Sequence, residues 1–177
     1  MKTTLWSLDP NHSQIGFKVK HMMITNVSGQ IRDYKGNMNV LYDNFDTASF
    51  SFSGRIASLT TNNEARDKHL MSADFFNAEK FPIIAFKSTG LIKKDDNEFE
   101  LSGDLDMHGI TKNVQMKATF GGVATDPWGV AKSAFSLRGN INRNDWDLKY
   151  NAALETGGVL ISEEVKLIIE LQFIKKE

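Results

Sequence analysis

The chain has 177 residues, 41% of them hydrophobic, with 21 Lys and Arg against 22 Asp and Glu for a formal net charge of −1, and no cysteine. That balance excludes a basic nucleic-acid footprint, a disordered or collagenous chain and a coiled coil, and leaves one all-β domain as an ordinary outcome. Without cysteine there are no disulfides, thiolate zinc sites or cysteine nucleophile.

The N-terminal third reads as strand after strand. Thr3 to Leu8 opens, and Asp9-Pro10-Asn11 turns. Ile15, Phe17 and Val19 then face one way while Gln14, Lys18 and Lys20 face the other, the period-two pattern of a half-buried strand. After His21-Met22-Met23 come Thr25 to Tyr34, then Asn37 to Leu41 across Gly36, then Ala48 to Ile56 with Ser49, Ser51, Ser53 and Arg55 outward.

The rhythm breaks once. Thr61-Asn62-Asn63-Glu64 fits a capping box, and Ala65, His69 and Leu70 follow at near-helical spacing. Ser72 is placed to cap a second short turn carrying Phe75 and Phe76, so a helical segment is predicted over residues 62–77, before Pro82 restarts extended chain.

Ile84 and Phe86 lead into a hairpin whose solvated tip is Lys93-Lys94-Asp95-Asp96-Asn97. Phe99 to Met107 returns, and Val114, Met116, Ala118 and Phe120 alternate after it. Gly121-Gly122 and Asp126-Pro127-Trp128-Gly129 mark a longer connection before Ser133 to Ile141. Glu163 and Glu164 read as a solvated turn ahead of Val165, Leu167, Ile169, Leu171 and Phe173, the cleanest alternation in the chain. Seven to nine antiparallel strands with one helical interruption indicate a barrel or a sandwich. A last strand able to pair with the first, removing both edges, favours the closed barrel.

Four strands place a glycine in phase with their apolar residues: Val27-x-Gly29-x-Ile31, Phe50-x-Phe52-x-Gly54-x-Ile56, Leu101-x-Gly103-x-Leu105-x-Met107 and Phe135-x-Leu137-x-Gly139-x-Ile141. An inward glycine bends the wall or leaves room for something else. Both roles are expected here, with the missing side chains keeping the lumen open.

Several motifs carry a family resemblance: Trp6-x-Leu8-Asp9-x-x-His12-Ser13-x-Ile15-x-Phe17, Val19-Lys20-His21, His69-Leu70-x-Ser72-x-Asp74-Phe75-Phe76, Phe81-Pro82-Ile83, Gly103-x-Leu105-x-Met107-His108-Gly109-Ile110-Thr111 and Leu137-x-Gly139-x-Ile141-x-Arg143-x-Asp145-Trp146. In this order and spacing the chain resembles the YceI family of lipocalin-like, polyisoprenoid-binding bacterial proteins. The resemblance implies an extended eight-stranded antiparallel barrel with a short helical segment, one domain over residues 1–177, and a long-chain amphiphile in the lumen. It also admits a homodimer and a stress-related role.

On that fold the inward set is Phe17, Val19, Met38, Val40, Phe50, Phe52, Phe86, Leu105, Met107, Phe120, Phe135, Leu137 and Ile169, with His21, Met22, Met23, Leu70 and Phe75 where wall meets loop. Phenylalanine and methionine among glycines suit an adaptable apolar tunnel; the bland alternative is a packed core in a structural or interaction module with no ligand. His21 and His69 are the candidates for a polar head. The histidines show no H-x-H or H-E-x-x-H spacing, and Arg143 with Asp145 reads as an ion pair pinning a turn under Trp146.

No G-x-S-x-G, P-loop or G-x-G-x-x-G occurs, so a non-catalytic lipid binder is expected, with no cofactor beyond the lipid and no nucleic-acid partner. No run approaches the ~20 apolar residues of a membrane-spanning helix. No signal-peptide core precedes Asp9, so the chain as it stands is expected in the cytoplasm, or in the periplasm if a leader has been removed.

Overall fold

In the computed structural model, which describes residues 1–177, the alternating stretches become strands that close on themselves. β1 (Thr3–Leu8) and β2 (Gln14–His21) are one bent run, and β3 (Thr25–Ile31) and β4 (Tyr34–Leu41) another. β5 (Asn44–Arg55), a two-residue β6 (Leu59–Thr60), helix α1 (Glu64–Met71), β7 (Ile83–Asp95), β8 (Glu98–Met107), β9 (Ile110–Thr125), β10 (Ala131–Asn142) and β11 (Ile161–Lys175) follow. Counting each bent run once gives a closed wall of eight antiparallel strands. β11 closes it, pairing near its start with β2 (Val165 with Val19, Ile169 with Ile15) and at its end with β1 (Leu8 with Phe173, Trp6 with Lys175).

The bend between β1 and β2 is built by Asp9-Pro10-Asn11-His12-Ser13. Asp9 caps a 3₁₀ turn through Asn11 N at 3.0 Å and holds His12 Nδ1 at 2.8 Å. Ser13 Oγ then accepts from Gln172 N at 3.0 Å, fastening the bend to β11. The outer edge of β3 pairs only through Gln30 and Ile31, to β6, so Thr25 to Gly29 has no strand on that side.

Three local expectations are corrected. The helix is shorter than residues 62–77, and its cap is Asn63, whose side chain accepts from Arg66 N at 2.9 Å. Thr61 is not the cap, because its amide and hydroxyl both bond Asp67, at 2.8 and 2.6 Å. Ser72 ends the helix, its hydroxyl donating to His69 O at 2.6 Å, and it caps the turn over residues 73–76 that carries Phe75 and Phe76, as expected, by accepting from Asp74 N at 3.3 Å. Gly121-Gly122 is not a connection: β9 runs on to Thr125, and the register shifts from Phe120–Phe135 to Gly122–Ala134, leaving Gly121 as a bulge. Glu163 and Glu164 lie inside β11, in the irregular stretch between Ile161 and Val165, rather than in a turn before it.

The two ends differ. The end bearing the β4–β5, β7–β8 and β9–β10 turns is a packed floor. Aromatic rings stack across it, with Trp6 to Phe45 at 5.4 Å, Phe45 to Phe120 at 4.6 Å, Phe120 to Phe135 at 5.0 Å and Phe50 to Phe135 at 5.1 Å. Met38, Val40, Leu101 and Ala118 are completely buried in the same cluster. Each large side chain so buried contributes roughly 1.5–3 kcal/mol, so the floor is where stability is concentrated. The opposite end carries α1, the β2–β3 hairpin and the β10–β11 connection, and is less filled.

Candidate functional site

Above the aromatic floor the barrel encloses a cavity of about 560 Å³, with 32 of its 42 lining residues hydrophobic. That size falls within the range of small-molecule sites. The wall strands supply Ile15, Phe17 and Val19 from β2, Phe50 and Phe52 from β5, Phe86 from β7, Leu105 and Met107 from β8, Leu137 from β10, and Val165, Leu167 and Ile169 from β11. Where β3 lacks a strand neighbour, the segment from Ile56 to Phe76 completes the wall with Leu59, Ala65, Leu70 and Phe75.

The structure brings most of the predicted site residues to this lumen: Phe17, Val19, His21, Phe50, Phe52, Leu70, Phe75, Phe86, Leu105, Met107, Leu137 and Ile169. Six lie elsewhere. Met38, Val40 and Phe135 are 0%, 0% and 1% exposed in the floor, and Phe120 packs against the same cluster. Met22 and Met23 stand on the exposed tip of the β2–β3 hairpin. Ile15, Val165 and Leu167 were legible as inward by alternation, whereas Arg66, Tyr150 and Leu160 reach the lumen from segments without strand periodicity.

The in-phase glycines do not hold space open for a ligand. A Cβ on Gly29 would lie 2.3 Å from Phe17 Cζ, and one on Gly103 would lie 2.2 Å from Phe86 Cζ. Gly139 is covered by Met116 at 2.8 Å and Gly54 by Phe52 at 3.1 Å. The missing side chains are therefore replaced by neighbouring ones, which lie flat against the wall. The lumen is wide because these rings are recessed into it.

Polar groups gather at the less filled end. Lys20, Ala65 and Arg66 are exposed there while lining the cavity. Arg66 donates from Nε to Thr61 Oγ1 at 2.7 Å and from Nη2 to Thr61 O at 2.8 Å. His69 Nε2 meets Asp74 Oδ2 at 2.8 Å, and its ring stands edge-on to Tyr150 at 4.7 Å and Phe75 at 5.1 Å. Asp67 anchors α1 to β6. Burial opposes its ionisation, yet hydrogen bonds from Thr61 and Thr60, with Arg66 beside it, hold its carboxyl below the usual aspartate value.

Arg143 does not pair with Asp145. Its guanidinium is buried and donates to three carbonyls, Ser162 O at 2.9 Å, Ile161 O at 3.2 Å and Leu148 O. Desolvation pulls its pKa below the usual arginine value, with Glu163 opposing. It thus clamps the turn after β10 to the start of β11 through the backbone. Trp146 does cap this part of the wall, 1% exposed, its Nε1 donating to Leu105 O at 3.0 Å. His12 and His108 are taken up by Asp9 and by Trp146 O, and no three His, Cys, Asp or Glu side chains converge as metal ligands. No helix is long and apolar enough to cross a membrane.

Comparison with known proteins agrees with this architecture. Residues 6–173 match the family model of the YceI-like domain. A UPF0312 protein of Staphylococcus aureus (strain MSSA476) is 33% identical over 171 residues, spanning 96% of this chain and 97% of that protein. The crystal structure of a Campylobacter jejuni YceI protein superposes with a TM-score of 0.78 at 31% identity, covering 89% of this chain and 90% of the other. A polyisoprenoid-binding domain of Saccharophagus degradans shares the fold, with a TM-score of 0.66 at 12% identity over 95% of this chain and 97% of that one.

Proposed function

The chain belongs to the YceI family, and on that premise we propose that it binds an isoprenoid-like or other long-chain amphiphile in its barrel, without catalysis, as a carrier or store. The observation that carries this reading is the 560 Å³ lumen, overwhelmingly apolar and bordered at one end by Lys20, Arg66, His69 and Tyr150. An apolar tail fits the wall of Phe17, Phe52, Phe86 and Leu137. A polar head fits the rim, where His21 and His69 stand.

Burial of each methylene is worth roughly 0.8 kcal/mol, so a ten-carbon stretch supplies several kcal/mol after association costs. Each further methylene adds to this, so a longer chain binds tightly without a buried counter-charge. The competing reading, an interaction module whose barrel fills itself, suits the floor but not the half of the barrel above it.

Native mass spectrometry of protein purified gently from its host tests the proposal, with a co-purifying lipid expected. Repeated recovery of an empty barrel, together with no uptake of added polyprenyl lipid, would refute it. Phe52→Arg places a charge in the lumen and is expected to abolish uptake while the protein still melts cooperatively. Equal loss of fold and uptake would favour the self-filled barrel.

A further inference from the structure

The β2–β3 hairpin leaves three consecutive apolar side chains in solvent, with Met22 44%, Met23 50% and Ile24 78% exposed. Met22 and Met23 also occupy left-handed backbone, at φ 54° and 62°. The loop between the paired His21 and Thr25 has three residues, and left-handed positions in such turns usually take Asn or Gly, because a Cβ is crowded there. Methionine is thus the unfavourable choice for conformation and for solvation alike. The turn is nevertheless tied down: Met22 N donates to Leu160 O at 2.8 Å and Ile24 N to His21 O at 3.2 Å.

The tip is the outer lip of the lumen. Lys20 and His21 on one side of it, and Leu160 and Ile161 on the other, line the cavity. Lys18 and Lys20 on β2, with Lys166 opposite Lys18 on β11, are largely offset by Glu163 and Glu164 on the same part of β11, so the lip carries no large excess of either charge. Its attraction is therefore apolar rather than electrostatic.

We infer that this tip inserts into the surface of a lipid bilayer, lodging Met22, Met23 and Ile24 among the acyl chains so that an amphiphile passes between bilayer and lumen without its tail crossing water. The inference rests on the lumen holding a lipid. A second exposed apolar tip exists on β9–β10, where Trp128 is 85% and Val123 51% exposed. That tip belongs to the floor end, and contact through it would turn the lumen away from the membrane.

The experiment is flotation of the full chain with vesicles of phosphatidylcholine, with and without phosphatidylglycerol. The variant is Met22→Asn, Met23→Gly, Ile24→Thr, which suits the turn better and should keep or raise urea stability. The native chain is expected to float with both vesicles, with little dependence on salt. The variant should lose about tenfold or more in partitioning and take up prenyl alcohol more slowly from vesicles, with unchanged uptake of detergent-dispersed prenyl alcohol. Trp6 and Trp146 are buried and already shielded from water, so a blue shift of tryptophan emission on vesicle binding would come from Trp128, and none is expected.

Equal flotation of variant and native chain, a blue shift with flotation lost in Trp128→Ala, or a tip that instead joins two copies of the chain would overturn the inference. Tip-dependent flotation without any uptake of dispersed prenyl alcohol would support the membrane contact and overturn the lumen reading.

Discussion

Gly29→Ala tests how the lumen is shaped. Gly29 faces Phe17 across the β2–β3 ladder, and an added methyl would lie 2.3, 2.7 and 3.0 Å from Cζ, Cε1 and Cε2 of that ring. These three nearest atoms all belong to the ring, so the side chain must swing off the wall into the cavity. Alanine in a strand is otherwise better than glycine by roughly 0.5–1 kcal/mol, through the unfolded chain. Overpacking typically costs about 1–3 kcal/mol. The low end applies here, because the ring has an open lumen to enter. The cost and the gain nearly cancel, so Gly29→Ala is expected to stay within about 0.5 kcal/mol of the native stability while shrinking the lumen. In a Phe17→Ala background the same change should stabilise by about 0.5 kcal/mol. Urea unfolding of the four proteins, followed by far-ultraviolet circular dichroism, measures both effects. Additivity of the two substitutions within about 0.5 kcal/mol would refute the account, since it would mean that ring and glycine do not share the space.

Two further predictions concern the polar end. Asp67 has a folded-state pKa below its ordinary 3.8, so its contribution is present above that value and is lost as the pH falls through the lower, folded one. Asp67→Asn should cost about 1 kcal/mol at pH 7 and flatten the acid limb of stability in urea titrations; an unchanged acid limb would count against the latch. Arg143→Met should cost about 2–4 kcal/mol by stripping Ser162, Ile161 and Leu148 carbonyls of a donor, whereas Asp145→Asn should stay within about 0.5 kcal/mol. Comparable losses for the two in thermal melts would restore the Arg143–Asp145 ion pair.

Side-chain alternation reports which face a residue occupies but not its height along the barrel. For this reason the wall and its closure were legible in the sequence, while the division between lumen and floor was not. Phe50 and Phe135 share one pattern and meet edge to face, yet Phe50 borders the cavity and Phe135 does not. In-phase glycines could be recognised as unusual. That Phe17 and Phe86 cover two of them depends on cross-strand neighbours, which only the register between strands specifies. Arg143 shows a similar limit, because its partners are backbone carbonyls that leave no trace in residue type. Arg66 and Tyr150 reach the rim from non-strand segments, where no period points inward.

The strand that closes the barrel is the last of the eight, and it must register Trp6 against Lys175 and Ile15 against Ile169. Pairings so distant along the chain carry a large loop-closure entropy and make folding slow relative to local hairpins. During synthesis β1 to β10 can form hairpins, but the free edges of β1, β2 and β10 wait for β11. In that interval the nascent chain presents paired sheet with open, apolar-faced borders, the kind of intermediate that chaperones hold and that aggregates without them.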